Sequence, residues 1–188
     1  MWSSVSAKDY EYRRVAMHGH YLHERETLVQ AVTGLGAGFW VMTPFQTEDG
    51  YEVLVNRGFV LPSHRYATTR SQGQIKGDTI VVGLLRMSEP GGGFLRTNNG
   101  SADRWYSRDV AAISAARDLK LCAPYFVDAD ALEPAVAGAP VGGLTVVAFP
   151  NNHLQYALTW FALASMLPAG AWLIYRQGGS RAAPDLGN

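Results

Sequence analysis

The run from Leu154 to Tyr175, LQYALTWFALASMLPAGAWLIY, limits what this chain can fold into more than any other segment. It holds 22 consecutive residues without an Asp, Glu, Lys or Arg. A helix rising ~1.5 Å per residue reaches ~33 Å over that length, enough to cross a hydrocarbon layer of ~30 Å. Trp160 stands near one end and Trp172 and Tyr175 near the other, where amphipathic rings favour the membrane interface. Pro168 and Gly170 would loosen a helix in water and are tolerated in lipid. The competing reading is the buried core helix of a soluble protein; the length and the absence of charge favour a span.

Arg176 and Arg181 follow the run, so its C-terminal flank belongs on the cytoplasmic or matrix side and residues 1–150 on the opposite side, periplasm or intermembrane space. The start, MWSSVSAKDYEYRR, has neither the apolar centre of a signal peptide nor a span. A folded domain is not readily carried across a membrane by a C-terminal span alone. The expectation is therefore that a first membrane helix precedes this chain, lost through truncation or a wrongly assigned start Met. The start is also not an arginine-rich amphipathic transit peptide, which favours a bacterial inner membrane over a mitochondrial one.

Between these ends the composition is that of a folded domain, with 47% hydrophobic and 17% charged residues. Lys+Arg and Asp+Glu are 16 each, so no global field draws the chain onto nucleic acid. The single cysteine, Cys122, excludes an internal disulfide framework and a cysteine zinc cage. Tyr12–Leu22 reads as a strand with Val15 and Met17 on one face. Gly38–Gln46 and Tyr51–Val60 form two arms around Thr47-Glu48-Asp49-Gly50, an Asp-Gly hairpin signal. A further strand centres on Thr79–Leu85, and Tyr125–Asp128 and Leu144–Phe149 are short strands. Asp109–Leu119 is an alanine-rich helix with an acidic start. Pro134–Gly143 is a turn-rich linker, and Asn151 or Asn152 can cap the helix that follows. Together these predict a mainly β (α+β) fold: a small antiparallel barrel or sandwich with one soluble helix, followed by a C-terminal transmembrane helix. The expected divisions are a leader at 1–11, an outward-facing β domain at 12–150, the membrane helix at 151–175 and a cytoplasmic tail at 176–188.

Inside the β domain the chemistry is sparse. His18 and His20 of HGHYLH share a strand face, open to reading as a metal pair or as a solvated face; His23 adds no fixed ligand spacing. His64 is a loop residue. Gly58 in a strand signals a bulge or a close backbone approach. Arg57 either has a structural role, pairing with an acidic residue such as Asp109 or holding a loop carbonyl, or grips a carboxylate from outside; the structural role is favoured. The segment Trp105–Asp109 poses the same choice with the same preference. Gly91-Gly92-Gly93 lacks the Lys-Ser/Thr of a phosphate loop and is a flexible turn. No nucleophile elbow or catalytic dyad is recognisable, and the expectation is a protein that is not an enzyme.

Four ordered segments resemble one family. TPFQTEDGYEVLVNRGFV (Thr43–Val60), RWYSRDVAAI (Arg104–Ile113), APYFVDAD (Ala123–Asp130) and above all NNHLQYALTWFALA (Asn151–Ala164) are similar to the Surfeit-locus assembly factors of cytochrome c oxidase. The resemblance runs from about Tyr12 to Tyr175. Members have two membrane helices flanking an outward domain, and only the second is present here, in keeping with the expected missing span. The resemblance implies a membrane-anchored factor that assists haem a delivery or insertion into the oxidase catalytic subunit, alongside the haem a synthesis machinery. The alternative is an interaction scaffold that stabilises an assembly intermediate and binds no haem; self-association is open in either case.

By that resemblance His153 is the axial ligand of the haem iron and Trp160 contributes to the site. The residues themselves are compatible with it. A neutral imidazole ligates haem iron well. Helical spacing puts Tyr156, Ala157 and Trp160 on the His153 face, with Ala157 leaving room for a flat macrocycle between two aromatic rings. The plainer reading places His153 in the headgroup region and Tyr156 and Trp160 in an aromatic belt, although Trp160 lies deeper than most belt residues.

Overall fold

The computed structural model describes residues 5–93, 95–144 and 153–179, apart from the side chains of 7, 8, 153, 155 and 177–179. The chain divides into two units, Met1–Val147 and Ala148–Asn188.

The first unit contains six strands: β1 (Arg14–Tyr21), β2 (Thr27–Thr33), β3 (Gly36–Thr47), β4 (Glu52–Val60), β5 (Thr79–Met87) and β6 (Cys122–Ala129). A single helical turn, α1 (Ala7–Tyr10), precedes them, and α2 (Val110–Ala116) lies between β5 and β6. The sheet order β1-β5-β6-β4-β3 closes on itself because β1 also pairs with β3, giving a five-stranded barrel. β3, at 12 residues, is long enough to serve two partners along one edge. Its first half carries β2, from Thr33 opposite Gly36 to Thr27 opposite Met42. Its end meets β1, with Gly19 opposite Thr47 and Tyr21 opposite Phe45. Closure depends on Gly19: a Cβ there would stand 1.9 Å from the Gln46 carbonyl oxygen.

The expected barrel therefore forms, with one feature that the sequence reading lacks. Every pair is antiparallel except β4 with β6, which run parallel with Leu54 opposite Phe126 and Val55 opposite Val127. A parallel neighbour requires a long crossover, and here the chain between β4 and β6 supplies β5 and α2.

β4, EVLVNRGFV, is buried at every position because it is covered on both faces. Val53 and Val55 point into the barrel with Phe45, Val81, Ala123 and Val127. Leu54 points outward into a second core made with Met42, Val29, Trp105, Phe126 and the α2 residues Val110 and Ile113. Asp109 caps α2 by accepting from the Ala112 N–H at 3.1 Å. The helix stops at Ala116, earlier than the expected Leu119, as Asp118 turns into the left-handed region at φ 54°. The Asp-Gly hairpin forms as expected, with Gly50 at φ 87° and its N–H donating to the Thr47 carbonyl.

The second unit contains α3 (His153–Gly179), longer than the expected helix by its last turn. Its stretch Tyr156–Arg176 is long and apolar enough to cross a membrane, with mean hydropathy 1.6 and none of it buried. A core helix would bury a face, so the exposed apolar surface favours the span. The strand expected at Leu144–Phe149 lies beyond the described residues from 145 onward. So do the candidate caps Asn151 and Asn152, the start of the leader and the tail after 179.

Candidate functional site

The α3 backbone is helical from His153, which puts positions 153, 156, 157 and 160 on one face within two turns. Tyr156 and Trp160 on that face are 66% and 68% exposed, and Ala157 between them is half-buried. Two large rings flanking a methyl group form a shallow apolar platform beside the imidazole-bearing position. The polar groups on this face are residue 153, the Tyr156 hydroxyl and the Trp160 indole N–H. The His153 side chain itself lies outside what is described.

The barrel carries two ionic clusters, one on each face of β4, because consecutive strand residues point to opposite sides. On the inward side, Arg57 stacks its guanidinium 5.1 Å from the Tyr21 ring and donates to the Gly73 carbonyl. Its Nη1 lies 3.9 Å from Glu26. Glu26 also receives two donors from Arg70, Nη1 at 2.9 Å and Nη2 closer still. Arg70 in turn donates to the carbonyls of His64 and Arg65. Burial pushes the Tyr21 hydroxyl up to about 12, against the opposing pull of Arg57. Burial also lowers the Arg57 guanidinium and the His23 imidazole, whose Nε2 sits 2.7 Å from the Ile75 carbonyl oxygen.

On the outward side, Asn56 donates to Asp128 at 2.8 Å. Asp128 also takes Arg108 at 3.1 Å and Arg86 at 3.2 Å, and Arg108 reaches Glu89 at 2.6 Å. The Arg108 guanidinium lies 4.7 Å from the Phe126 ring. Both clusters are closed sets of mutual partners, which fits residues that hold the barrel in shape.

The structural role expected of Arg57 is therefore what the structure shows: it holds a carbonyl, that of Gly73, as expected, while its acidic partner is Glu26 and not Asp109, which caps α2. Trp105 is 1% exposed in the outer core, and its indole N–H donates to Asp103 at 2.8 Å. Gly58 makes the close approach its position implied: at φ 126°, a Cβ there would fall 2.3 Å from the Val141 carbonyl. His20 lies 3.6 Å from Asp78, and among the described residues no group of three His, Cys, Asp or Glu is placed to hold a metal ion. The metal-pair reading of His18 and His20 thus finds no third ligand there. His64 sits in a short 3₁₀ turn, Pro62–His64. Gly91 and Gly92 form a turn as expected, with the Gly92 N–H donating to the Ser107 hydroxyl.

Glu26, Arg70 and Glu89 are the residues that sequence reasoning passed over. A structural role for Arg57 was expected from its place in the Asn56-Arg57-Gly58 strand segment. No local pattern selects Glu26 for it, because that partner comes from the loop before β2.

Comparison with known proteins places these features in a wider set. The model of the SURF1 family matches residues 2–165. "Surfeit locus protein 1" of Rattus norvegicus is 35% identical over 189 residues, covering 92% of this chain and 60% of the rat protein. Its Homo sapiens namesake is 34% identical, covering 86% of this chain and 58% of the human protein. A "SURF1-like protein" of Monosiga brevicollis is 33% identical, covering 91% of this chain and 69% of its own length. The chain thus spans about 60% of the length of the rat and human relatives.

Proposed function

The chain belongs to the SURF1 family, and on that premise we propose that it is a membrane-anchored assembly factor for cytochrome c oxidase. In this reading α3 anchors it in a bacterial inner membrane, with the barrel on the periplasmic side. It works without catalysing a covalent step, assisting haem a delivery to the oxidase catalytic subunit in concert with the haem a synthesis machinery.

The observation that carries this reading is the exposed platform on α3. Tyr156 and Trp160 offer aromatic surface at either side of the small Ala157, on the helical face that also holds position 153. A flat, strongly apolar macrocycle fits such a face, and a ring nitrogen of His153 is the chain's natural ligand for its iron. Haem a is cargo here, the redox group that the oxidase takes up. A helix at lipid depth keeps the apolar tail of that cargo out of water. Aromatics that pack against nothing else in the chain suit a carrier that must release what it holds, whereas the ionic clusters of the barrel are occupied by one another.

The test is to express the chain in a host that makes haem a and purify it from the membrane. A red preparation whose Soret band disappears in His153→Ala supports haem carriage. Stoichiometric haem retained in His153→Ala overturns the ligand role. A colourless, folded preparation that still captures oxidase subunits favours the scaffold reading instead.

A further inference from the structure

The β2–β3 end of the barrel is apolar and exposed. The hairpin between Thr33 and Gly36 lifts Val32 and Leu35 out of the fold, 85% and 52% exposed. Beside Leu35 lies a concavity of about 300 Å³ lined by Leu61, Phe59, Ala139, Val141 and His64, with Leu61 and Val141 46% and 47% exposed. On the hairpin's other side a second depression runs from Val32 and Phe39 to Tyr106 and Arg96. Two exposed arginines border this end: Arg65 over the Phe39 ring at 5.2 Å and Arg96 over the Tyr106 ring at 5.4 Å. Among the described residues that line these two depressions there is no Asp or Glu.

We propose that this end of the barrel docks on a lipid surface, inserting Val32 and Leu35 at the headgroup level while Arg65 and Arg96 engage anionic lipid phosphates. The shape favours a bilayer over a peptide: the apolar residues protrude as a tip between two shallow depressions and do not line a single groove. Charge points the same way, since two exposed arginines beside depressions whose described lining holds no carboxylate match an anionic headgroup layer. The chain also keeps a bilayer within reach. Val141, part of this surface, precedes the first residue of α3 by about a dozen residues, which extend to ~40 Å at most. The inference goes beyond the proposed function and requires only that α3 be embedded.

The test uses the full chain in vesicles of phosphatidylcholine and phosphatidylglycerol, in a Cys122→Ala background. An environment-sensitive fluorophore is placed at Leu35→Cys, with Asp49→Cys as control beyond the far end of β3, ~40 Å away by strand length. The expected result is a blue-shifted Leu35 probe quenched by spin-labelled lipid, with the Asp49 probe water-like and unquenched. Arg65→Gln with Arg96→Gln should lower the docked-to-undocked ratio by about thirtyfold at low salt. Both side chains are exposed, and unchanged near-UV circular dichroism checks the fold. If the Leu35 probe stays in water while the protein floats with the vesicles after an alkaline wash, the docking proposal falls and the anchor stands. If the protein does not float, both fall. A blue shift without lipid quenching that grows with protein density shows self-association and overturns the lipid assignment.

Discussion

Removing the Glu26 carboxylate should be among the most damaging single changes in the barrel. Glu26 sits between two guanidinium groups whose side chains are 4% (Arg57) and 1% (Arg70) exposed. In Glu26→Ala both cations stay buried without the shared counter-charge. Taking one partner from a buried pair costs ~3–5 kcal/mol, mostly the desolvation of the charge left behind. Arg70 keeps its bond to the His64 carbonyl and Arg57 keeps Gly73, which puts the cost near the lower end of that range. For a protein of this size ~1 kcal/mol moves Tm by roughly 2–4 °C, so the expected drop is about 6–12 °C. Thermal unfolding followed by near-UV circular dichroism in detergent reads it, because the indole of Trp105 is packed inside the barrel domain. A companion variant, Glu26→Met with Arg57→Met and Arg70→Met, replaces the whole cluster by apolar volume and should lose far less. A drop below ~2 °C for Glu26→Ala would refute the argument, because it would mean that water already reaches the two arginines. The exposed pair Lys120–Asp118 is the contrast: Asp118→Asn should leave Tm unchanged within error.

Gly58→Ala combines a left-handed φ with a clash against the Val141 carbonyl and should cost ~2 kcal/mol or more, with faster hydrogen exchange at the Val141 amide that bonds Phe59. His23 is held below its ordinary 6.5 by burial, so the unfolded chain takes up this proton before the folded one does. Its contribution to stability is complete above 6.5 and is lost as pH falls from there toward the depressed folded value. His23→Gln should flatten that part of the Tm-against-pH curve, and an unchanged slope would show that another group sets it.

How much the sequence disclosed depended on how local each signal was. The Asp-Gly hairpin, the alanine-rich helix with its acidic start and the alternation of Val15 and Met17 are written within a few residues, and each forms, the helix with Asp109 as its cap and a shorter end than expected. β2 was passed over because Thr27 is fully buried beside Val29, so a polar residue stands where the alternating pattern needs an apolar one. The parallel β4–β6 pair and the β1–β3 closure join segments far apart in the chain, and no local pattern encodes such pairing. A structural role for Arg57 was legible, while its partner Glu26, shared with Arg70, comes from a segment whose position the barrel alone decides. The uncharged run of α3 was legible in full, since length and missing charge are properties of the sequence itself.

The account rests on α3 lying within a bilayer, and alkaline carbonate extraction tests that most directly. Membranes from cells expressing the chain, washed at high pH and sedimented, should retain the protein in the pellet together with known integral proteins. Release of the intact chain into the supernatant would contradict the anchor and, with it, the assignment of the Tyr156–Trp160 platform to lipid depth.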